Sequence, residues 1–481
     1  MRPSKALIAL CAATLAAQPS IFQRISQHLR AEDLKADVSF LASDALEGRG
    51  TPSRGLDLAA EFLASQFRRA GVEPAGDDGY FQTATYYQVT PNPDGVELTL
   101  NGAVIPKSAI TVQEAAAAQI SNAEAFRATA AELDELTADQ VKGKALFVDP
   151  GESGFQALRR ISAQTAKLQP AMVVIVRGAG PAGLGPGAGG GRGPRIPMRD
   201  REPKIAIVNV ADPAIHDAVA AAKTGPMDIT VSARIGAPKL EAHKLRNVAA
   251  IIRGSDPALK DTYLIVTGHY DHLGINPNLD GDKIFNGAND DASGSASVVE
   301  IAGALQALGE KPKRSIVFVT VFGEESGGLG ARWYTSHPIF PLARTIADIN
   351  LEQLGRTDDT EGPKIAQFNL TGFDYTDIAA TFAKLTPETG IEVVKHERNS
   401  DAFFGRSDNA TFDDAGVPST TISVSYVYPD YHKVGDEWPK LDYENMAKVD
   451  RAIALGVWDM ANSAQAPHWN RENPKASRYV K

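Results

Sequence analysis

Cysteine is almost missing from this chain. Its single copy, Cys11, lies near the start, so no disulfide framework holds the fold. Excess positive charge is missing as well. The formal net charge is −10 and no basic stripe occurs, which argues against binding nucleic acid through the phosphate backbone. No apolar run reaches the roughly 18 residues that a membrane-spanning helix needs. The phosphate-loop pattern G-x-x-x-x-G-K-[ST] and the serine-hydrolase pattern G-x-S-x-G do not occur. G-x-G-x-x-G is matched at Gly178–Gly183, but Pro181 lies within it and Pro186 and further glycines follow. No helix can start there to receive a pyrophosphate, so residues 178–193 read as a glycine-rich loop.

What is present is a chain of 481 residues with 43% hydrophobic content, enough for two or three domains with sizeable cores. Arg2 and Lys5 precede a short apolar run, Ala6 to Ala17. That pattern predicts a signal peptide over 1–17 and an exported protein, periplasmic or secreted, with no stable membrane insertion once the signal is removed. Residues 31–90 read as helical and then irregular. Leu56, Ala60, Leu63, Phe67 and Ala70 mark one buried helix face, with Gly71 as its cap.

From 91 to 242 short β-rich runs alternate with turns: Val96–Leu100, Lys144–Val148, Ala171–Arg177, Ile205–Val210 and Met227–Val231. This stretch is expected to be an inserted domain within a larger unit formed by 23–90 and 243–465. From 243 onward, apolar strand candidates (247–252, 263–267, 315–322, 345–351 and 417–424) alternate with helices at 292–308 and 443–461. Asp442 is the expected N-cap of the last helix. The alternation predicts an α/β fold with a doubly wound, mostly parallel sheet flanked by helices.

Acids and histidines follow these strands, at the edge where open α/β sheets bind ligands. Strand 263–267 leads into Gly268-His269-Tyr270-Asp271-His272, where Asp271 can hydrogen-bond the His269 ring and fix its tautomer. Asn286-Gly287-Ala288-Asn289-Asp290-Asp291-Ala292-Ser293-Gly294 opens a helix, with Asp290 placed to bridge two cations. Strand 315–322 leads into Gly323-Glu324-Glu325; one glutamate can bind metal while its neighbour takes a proton. Strand 345–351 ends at Glu352, and strand 417–424 leads to Tyr431-His432. Singly, each segment is unremarkable. Together they bring carboxylates and imidazoles, without thiolate, to one rim, a donor set that suits hydrolytic zinc, with cobalt and manganese as alternatives. His272 reads as a supporting or surface residue. Arg398, Ser400, Phe403, Phe404, Arg406, Ser407 and Asp408 sit shortly before the last strand candidate.

These segments, with Ile349-Asn350-Leu351-Glu352 and the early Phe40-Leu41-Ala42-Ser43-Asp44-Ala45-Leu46-Glu47-Gly48-Arg49-Gly50, resemble the M28 family of metallo-aminopeptidases. The resemblance covers about 33–90 and 243–462, and the insert more loosely resembles a protease-associated domain. It implies two zinc ions sharing Asp290, one also held by His269 and Glu352, the other by Glu325 and His432. Glu324 would be the general base acting on a metal-bound water, and Asp271 would orient His269. The peptide between Asp290 and Asp291 would be cis. Tyr431, beside His432, reads either as a hydrogen-bond donor to the reacting group or as a packing tyrosine. The family commonly has aspartate where this chain has Glu352, which puts two-metal occupancy in question. The implied activity is removal of residues from peptides with a free amino terminus. A carboxypeptidase or dipeptidase on the same metals, kept open by Arg398 and Arg406, and a non-catalytic binding protein on a peptidase scaffold are the alternatives.

Overall fold

The computed structural model describes residues 19–92, 95–151, 154–177 and 197–480. The expected 1–17 signal and the 178–193 loop lie outside the described residues. Among the described residues no helix is long and apolar enough to cross a membrane.

Near the N-terminus the helices follow the apolar spacing. Ala31–Leu41 (α1) buries Leu34, Val38 and Leu41. Arg54–Arg69 (α2) buries Leu56, Ala60, Leu63 and Phe67, and the Ser53 hydroxyl at its start accepts the Leu56 N–H. The following segment, expected to be irregular, instead holds a ten-residue strand, Phe81–Thr90 (β1). Its buried positions Gln82, Ala84 and Tyr86 mix polar and apolar side chains, which hides the two-residue period. Gln82 tolerates burial because it accepts a hydrogen bond from Asn247 and donates one to the His337 carbonyl.

β1 pairs antiparallel with Lys239–Ile252 (β2), Thr90 lying opposite Lys239. The chain therefore leaves and re-enters the main sheet at adjacent points. Between them, residues 96–235 build a second sheet of eight strands. It includes Val96–Leu100, Ala145–Asp149, Met172–Arg177, Ile207–Ala211 and Gly225–Ile235, close to the runs read from the sequence. Two helices not anticipated there, Gly154–Leu168 and Pro213–Ala221, cover opposite faces of that sheet. Ile161 and Leu168 pack with Leu146 and Val173, whereas Val219 packs with Phe147 and Val174.

Further main-sheet strands are Tyr263–His269 (β3), Ser315–Val321 (β4), Thr345–Leu351 (β5), Gln367–Leu370 (β6), Glu392–Val394 (β7) and Ser419–Ser423 (β8), and the short Glu73–Pro74 pairs with β2. Their order is β7-β6-β8-β5-β3-β4-β2-β1, with Met198–Arg199 beyond β1. β8, β5, β3 and β4 run parallel. β2 joins β4, β1 joins β2, and β6 joins β8 antiparallel. The sheet expected to be mostly parallel is thus mixed, parallel at its centre and antiparallel toward both wings. One reason is visible at 253–262: this link between β2 and β3 holds no helix. A parallel return needs a crossover of about a dozen residues or more.

Side chains alternate across the central strands to fill two layers. Leu264, Val266, Ile316, Phe318 and Ile349 face α1, α2, Gly294–Ala307 (α3) and Tyr443–Asn462 (α6). Ile265, Val317 and Val319 face Tyr334 of Leu329–Ser336 (α4) and Phe412 of Asn409–Ala415 (α5). Each such side chain contributes roughly 1.5–3 kcal/mol when fully buried. α6 begins as expected, with the Asp442 side chain accepting the Asn445 N–H.

One polar group interrupts the helical layer. Asp37 on α1, Glu300 on α3 and Asp450 on α6 are buried near one another. Asp450 accepts the Ser297 hydroxyl at 2.8 Å, and Arg69 reaches Glu300 at 3.2 Å. Burial pushes Asp450 up to about 8, opposed by the Ser297 hydrogen bond and by Arg451 and assisted by Glu300. A carboxyl kept neutral by the fold contributes most below its unfolded value of about 4, and that contribution is lost as pH rises through about 8. Asp450→Asn should therefore raise Tm at pH 8 and leave it nearly unchanged at pH 4. An equal shift at both pH values in a melting series would contradict this assignment.

Candidate metal centre

Because β3, β4, β5 and β8 are parallel, their carboxyl ends open on one edge. β3 ends at His269, β5 is followed directly by Glu352, and Glu324-Glu325 and His432 lie in loops after β4 and β8. Asp290 comes from the turn before α3, and its peptide bond to Asp291 is cis.

These residues form two groups that share Asp290. In the first, a ring nitrogen of His269, an Asp290 oxygen and a Glu352 oxygen lie within 4.8 Å of one another. His269 Nε2 is 3.3 Å from Asp290 Oδ1. In the second, His432 Nε2 is 2.9 Å from Asp290 Oδ2 and 3.0 Å from Glu325 Oε1. His272 also belongs here. The sequence suggested a supporting or surface position, yet its ring is buried and Nδ1 lies 3.2 Å from Glu325 Oε1.

Several of these atoms are buried without a hydrogen bond: His269 Nε2, both ring nitrogens of His272, and Asp290 Oδ2. They approach one another at ion-pair distances without hydrogen-bond geometry. Buried polar atoms left in this way are costly unless another ligand meets them, and imidazole with carboxylate oxygen fits a divalent transition-metal ion. The electrostatics agree. Burial alone would lower His432, yet Glu325 and Asp290 push it up to about 9. Burial likewise opposes charge on His269, but Asp271 and Asp290 hold it well above its ordinary value. The carboxylate surplus thus favours positive charge at this rim.

Asp271 does something other than the expected ring hydrogen bond. Its Oδ1 is 3.6 Å from His269 Nδ1, too long for one, while its main-chain oxygen is nearer at 3.2 Å. The carboxylate instead accepts the Glu324 N–H at 2.9 Å, the Glu325 N–H at 3.3 Å and the Thr51 hydroxyl at 3.3 Å. Asp271 therefore fixes the turn that carries both glutamates. Burial raises Glu324 well above the usual carboxylate range, against the pull of His269 and with help from Glu325. The Tyr431 ring stacks on His432 with 3.8 Å between centroids.

The turn before α3 also grips the loop after Glu352. Four successive amides, of Gln353, Leu354, Gly355 and Arg356, donate to Asp291, Ser293 and Asn289, which takes the last two, at 2.8–3.1 Å. Gly294 permits the close approach, since a Cβ there would stand 2.2 Å from the Leu351 carbonyl oxygen. On the other side Asp436 accepts the N–H groups of Asn289 and Asp290 and the Tyr428 hydroxyl. Asp436 escaped notice in the sequence; its one signal is a position four residues after His432. Ser407 accepts from Asn350 at 2.8 Å and opposes the rise that burial gives the Glu352 carboxyl. Asp408 is buried with neither carboxylate oxygen hydrogen-bonded. Arg398 pairs with Glu361 at 3.4 Å, and Arg406 lies over the Phe403 ring.

Arg49, quoted above within a longer segment and given no role, is completely buried. Its guanidinium donates to the carbonyls of Tyr270 at 2.7 Å, Asn286 at 2.7 Å, Gly287 at 2.9 Å and Leu41. It joins the loop carrying His269 to the turn carrying Asp290, although burial lowers it to about 10. Arg49→Met would strand these carbonyls, each an unmet buried acceptor of about 1–3 kcal/mol. Urea unfolding of the metal-free full-length chain should show a loss of at least about 3 kcal/mol; a loss below about 1 kcal/mol would refute the clamp.

Comparison with solved structures finds the aminopeptidase from Aneurinibacillus sp. strain AM-1, 18% identical, covering 93% of this chain and 97% of that one with a TM-score of 0.53. At that identity the likeness concerns the fold. A probable zinc metalloprotease of Pyrenophora teres f. teres (strain 0-1) is 28% identical over 46% of this chain and 50% of its own length. Aminopeptidase YwaD of Bacillus subtilis (strain 168) is 24% identical over 44% of each. The chain thus spans about half the length of these curated relatives. Residues 247–457 match the model of peptidase family M28.

Proposed function

We propose that this chain is a zinc-dependent aminopeptidase with two metal positions bridged by Asp290. The observation that carries the reading is the pair of ligand groups sharing that one carboxylate, His269-Asp290-Glu352 and His272-Asp290-Glu325, with His432 2.9–3.0 Å from Asp290 and Glu325 and with buried imidazole and carboxylate atoms left unbonded. His269, Asp290 and Glu352 would hold one zinc; Asp290, Glu325 and His432 would hold the other. Zinc supplies a lowered pKa for water and polarisation of the scissile carbonyl.

The remaining work falls to side chains. Glu324 takes a proton from the attacking water and returns it to the leaving amine; its raised affinity for protons suits a group that must both accept and release one. Asp271 keeps Glu324 in place through the two amide hydrogen bonds. The choice of the amino end rests on charge. Asp271, Asp290, Asp291, Glu324, Glu325, Glu352 and Asp408 surround the rim, and Arg398 is engaged by Glu361. Carboxylate charge beyond that of the two zinc ions attracts an α-ammonium group and repels a carboxyl end. The printed names of two relatives, aminopeptidases, point the same way. The same reading treats residues 91–242 as an inserted, protease-associated-like domain, supported by its separate eight-stranded sheet.

The test is hydrolysis of amino-acyl chromogenic amides, free and N-acetylated, before and after chelation. Free-amine substrates should be cleaved, acetylated ones spared, and zinc should restore the chelated protein. Equal cleavage of both, or none at full metal occupancy, would end the aminopeptidase reading. Glu324→Gln should lower kcat by about 10²–10⁴-fold with metal content unchanged. Retention of near wild-type kcat would remove Glu324 as the base.

A further inference from the structure

We infer that His272 is a ligand of the second metal position, which would then be closed by four protein donors while the first keeps an open place. This inference rests on reading the rim as a metal centre. Zinc bonds to nitrogen and oxygen of about 2.0–2.1 Å in a tetrahedron separate neighbouring ligand atoms by about 3.3 Å. Four of the six edges of such a tetrahedron run between atoms of the second position, and His272, Asp290 and Glu325 offer ligand atoms that all lie within 4.8 Å of one another. His272 Nδ1 is 3.2 Å from Glu325 Oε1 and 3.9 Å from Asp290 Oδ2. His432 Nε2 is 2.9 Å from Asp290 Oδ2 and 3.0 Å from Glu325 Oε1. These distances bracket the tetrahedral edge.

The placement of the His272 ring is built into the backbone. Its own N–H donates to the Arg49 carbonyl at 3.3 Å. Gly287, at φ +58°, leaves the space the ring occupies: a Cβ there would stand 2.3 Å from His272 Cγ and 2.5 Å from Cδ2. With both ring nitrogens buried and without hydrogen bonds, a well-packed imidazole faces two carboxylates that already belong to the second group.

The consequence is an asymmetry of roles. Two imidazoles and two carboxylates saturate a tetrahedral ion, as in structural sites, whereas His269, Asp290 and Glu352 supply three donors and leave a position for substrate chemistry. The second position should fill first and hold zinc or cobalt more tightly.

The experiment titrates cobalt(II) into the metal-free full-length protein and reads visible d–d absorption, whose intensity and position report coordination number. Zinc affinity is measured in parallel by chelator competition. Variants are His272→Phe, which retains ring packing, and His272→Ala; each metal-free variant is checked for folding by near-ultraviolet circular dichroism. Expected results are a strong four-coordinate band with the first cobalt equivalent in wild type, a changed band in either folded variant, and zinc affinity at that position reduced by more than about a hundredfold. That exceeds the roughly 10–100-fold cost of losing a residue that only supports a ligand. A wild-type band in a folded variant would overturn the assignment, as would failure of imidazole to restore the band in His272→Ala. If wild type binds no metal at all, the proposed function fails instead, so the two ideas are separable.

Discussion

The guanidinium of Arg49 and the carbonyls around it set the shape of the rim. Two of its hydrogen bonds go to Asn286 and Gly287 and one to Tyr270, so the chain just before Asp290 and just after His269 is held by one rigid, planar donor. Among the described residues no carboxylate bonds to Arg49. That is economical in a region already short of positive charge: the cation satisfies main-chain oxygens and leaves the acids free to face the centre. A lysine could not span these acceptors, because its single nitrogen lacks the flat fork.

Around that clamp, carboxylates are kept in place by main-chain amides instead of by basic side chains. Asp271 takes the amides of the Glu324-Glu325 turn, Asp291 takes that of Gln353, and Asp436 takes those of Asn289 and Asp290. Amides lend partial positive charge without neutralising the acid, so the rim remains anionic overall. Within Asn289-Asp290-Asp291-Ala292-Ser293 the labour is divided. Asn289, Asp291 and Ser293 hold the loop after Glu352, while Asp290 alone turns toward both ligand groups.

Much of this was legible beforehand, and the reasons are local. Strands such as 263–269 and 345–351 are unbroken apolar runs, and the acids beside their ends stand out. The strand at 81–90 was not legible, because Gln82 is buried by partners at Asn247 and His337 that local pattern cannot foresee. Arg49 and Asp436 were invisible for the same reason: each serves acceptors or donors hundreds of residues away, or in another loop. His272 was undervalued because sequence says nothing about the space beside Gly287. Asp271 lay at the right position, but its carboxylate turned to backbone amides that only the folded turn presents.

The parts of the centre are spread along the chain, from Arg49 through His269, Asp290, Glu325 and Glu352 to His432 and Asp436. A ribosome therefore releases the clamp first and the last imidazole far later. Until residue 436 has emerged, the nascent polypeptide lacks both the anchor of the Asp290 turn and one histidine of the rim. Under the proposed function, the chain would thus stay inert throughout most of its own translation, and assembly of the final loop would act as the moment of arming.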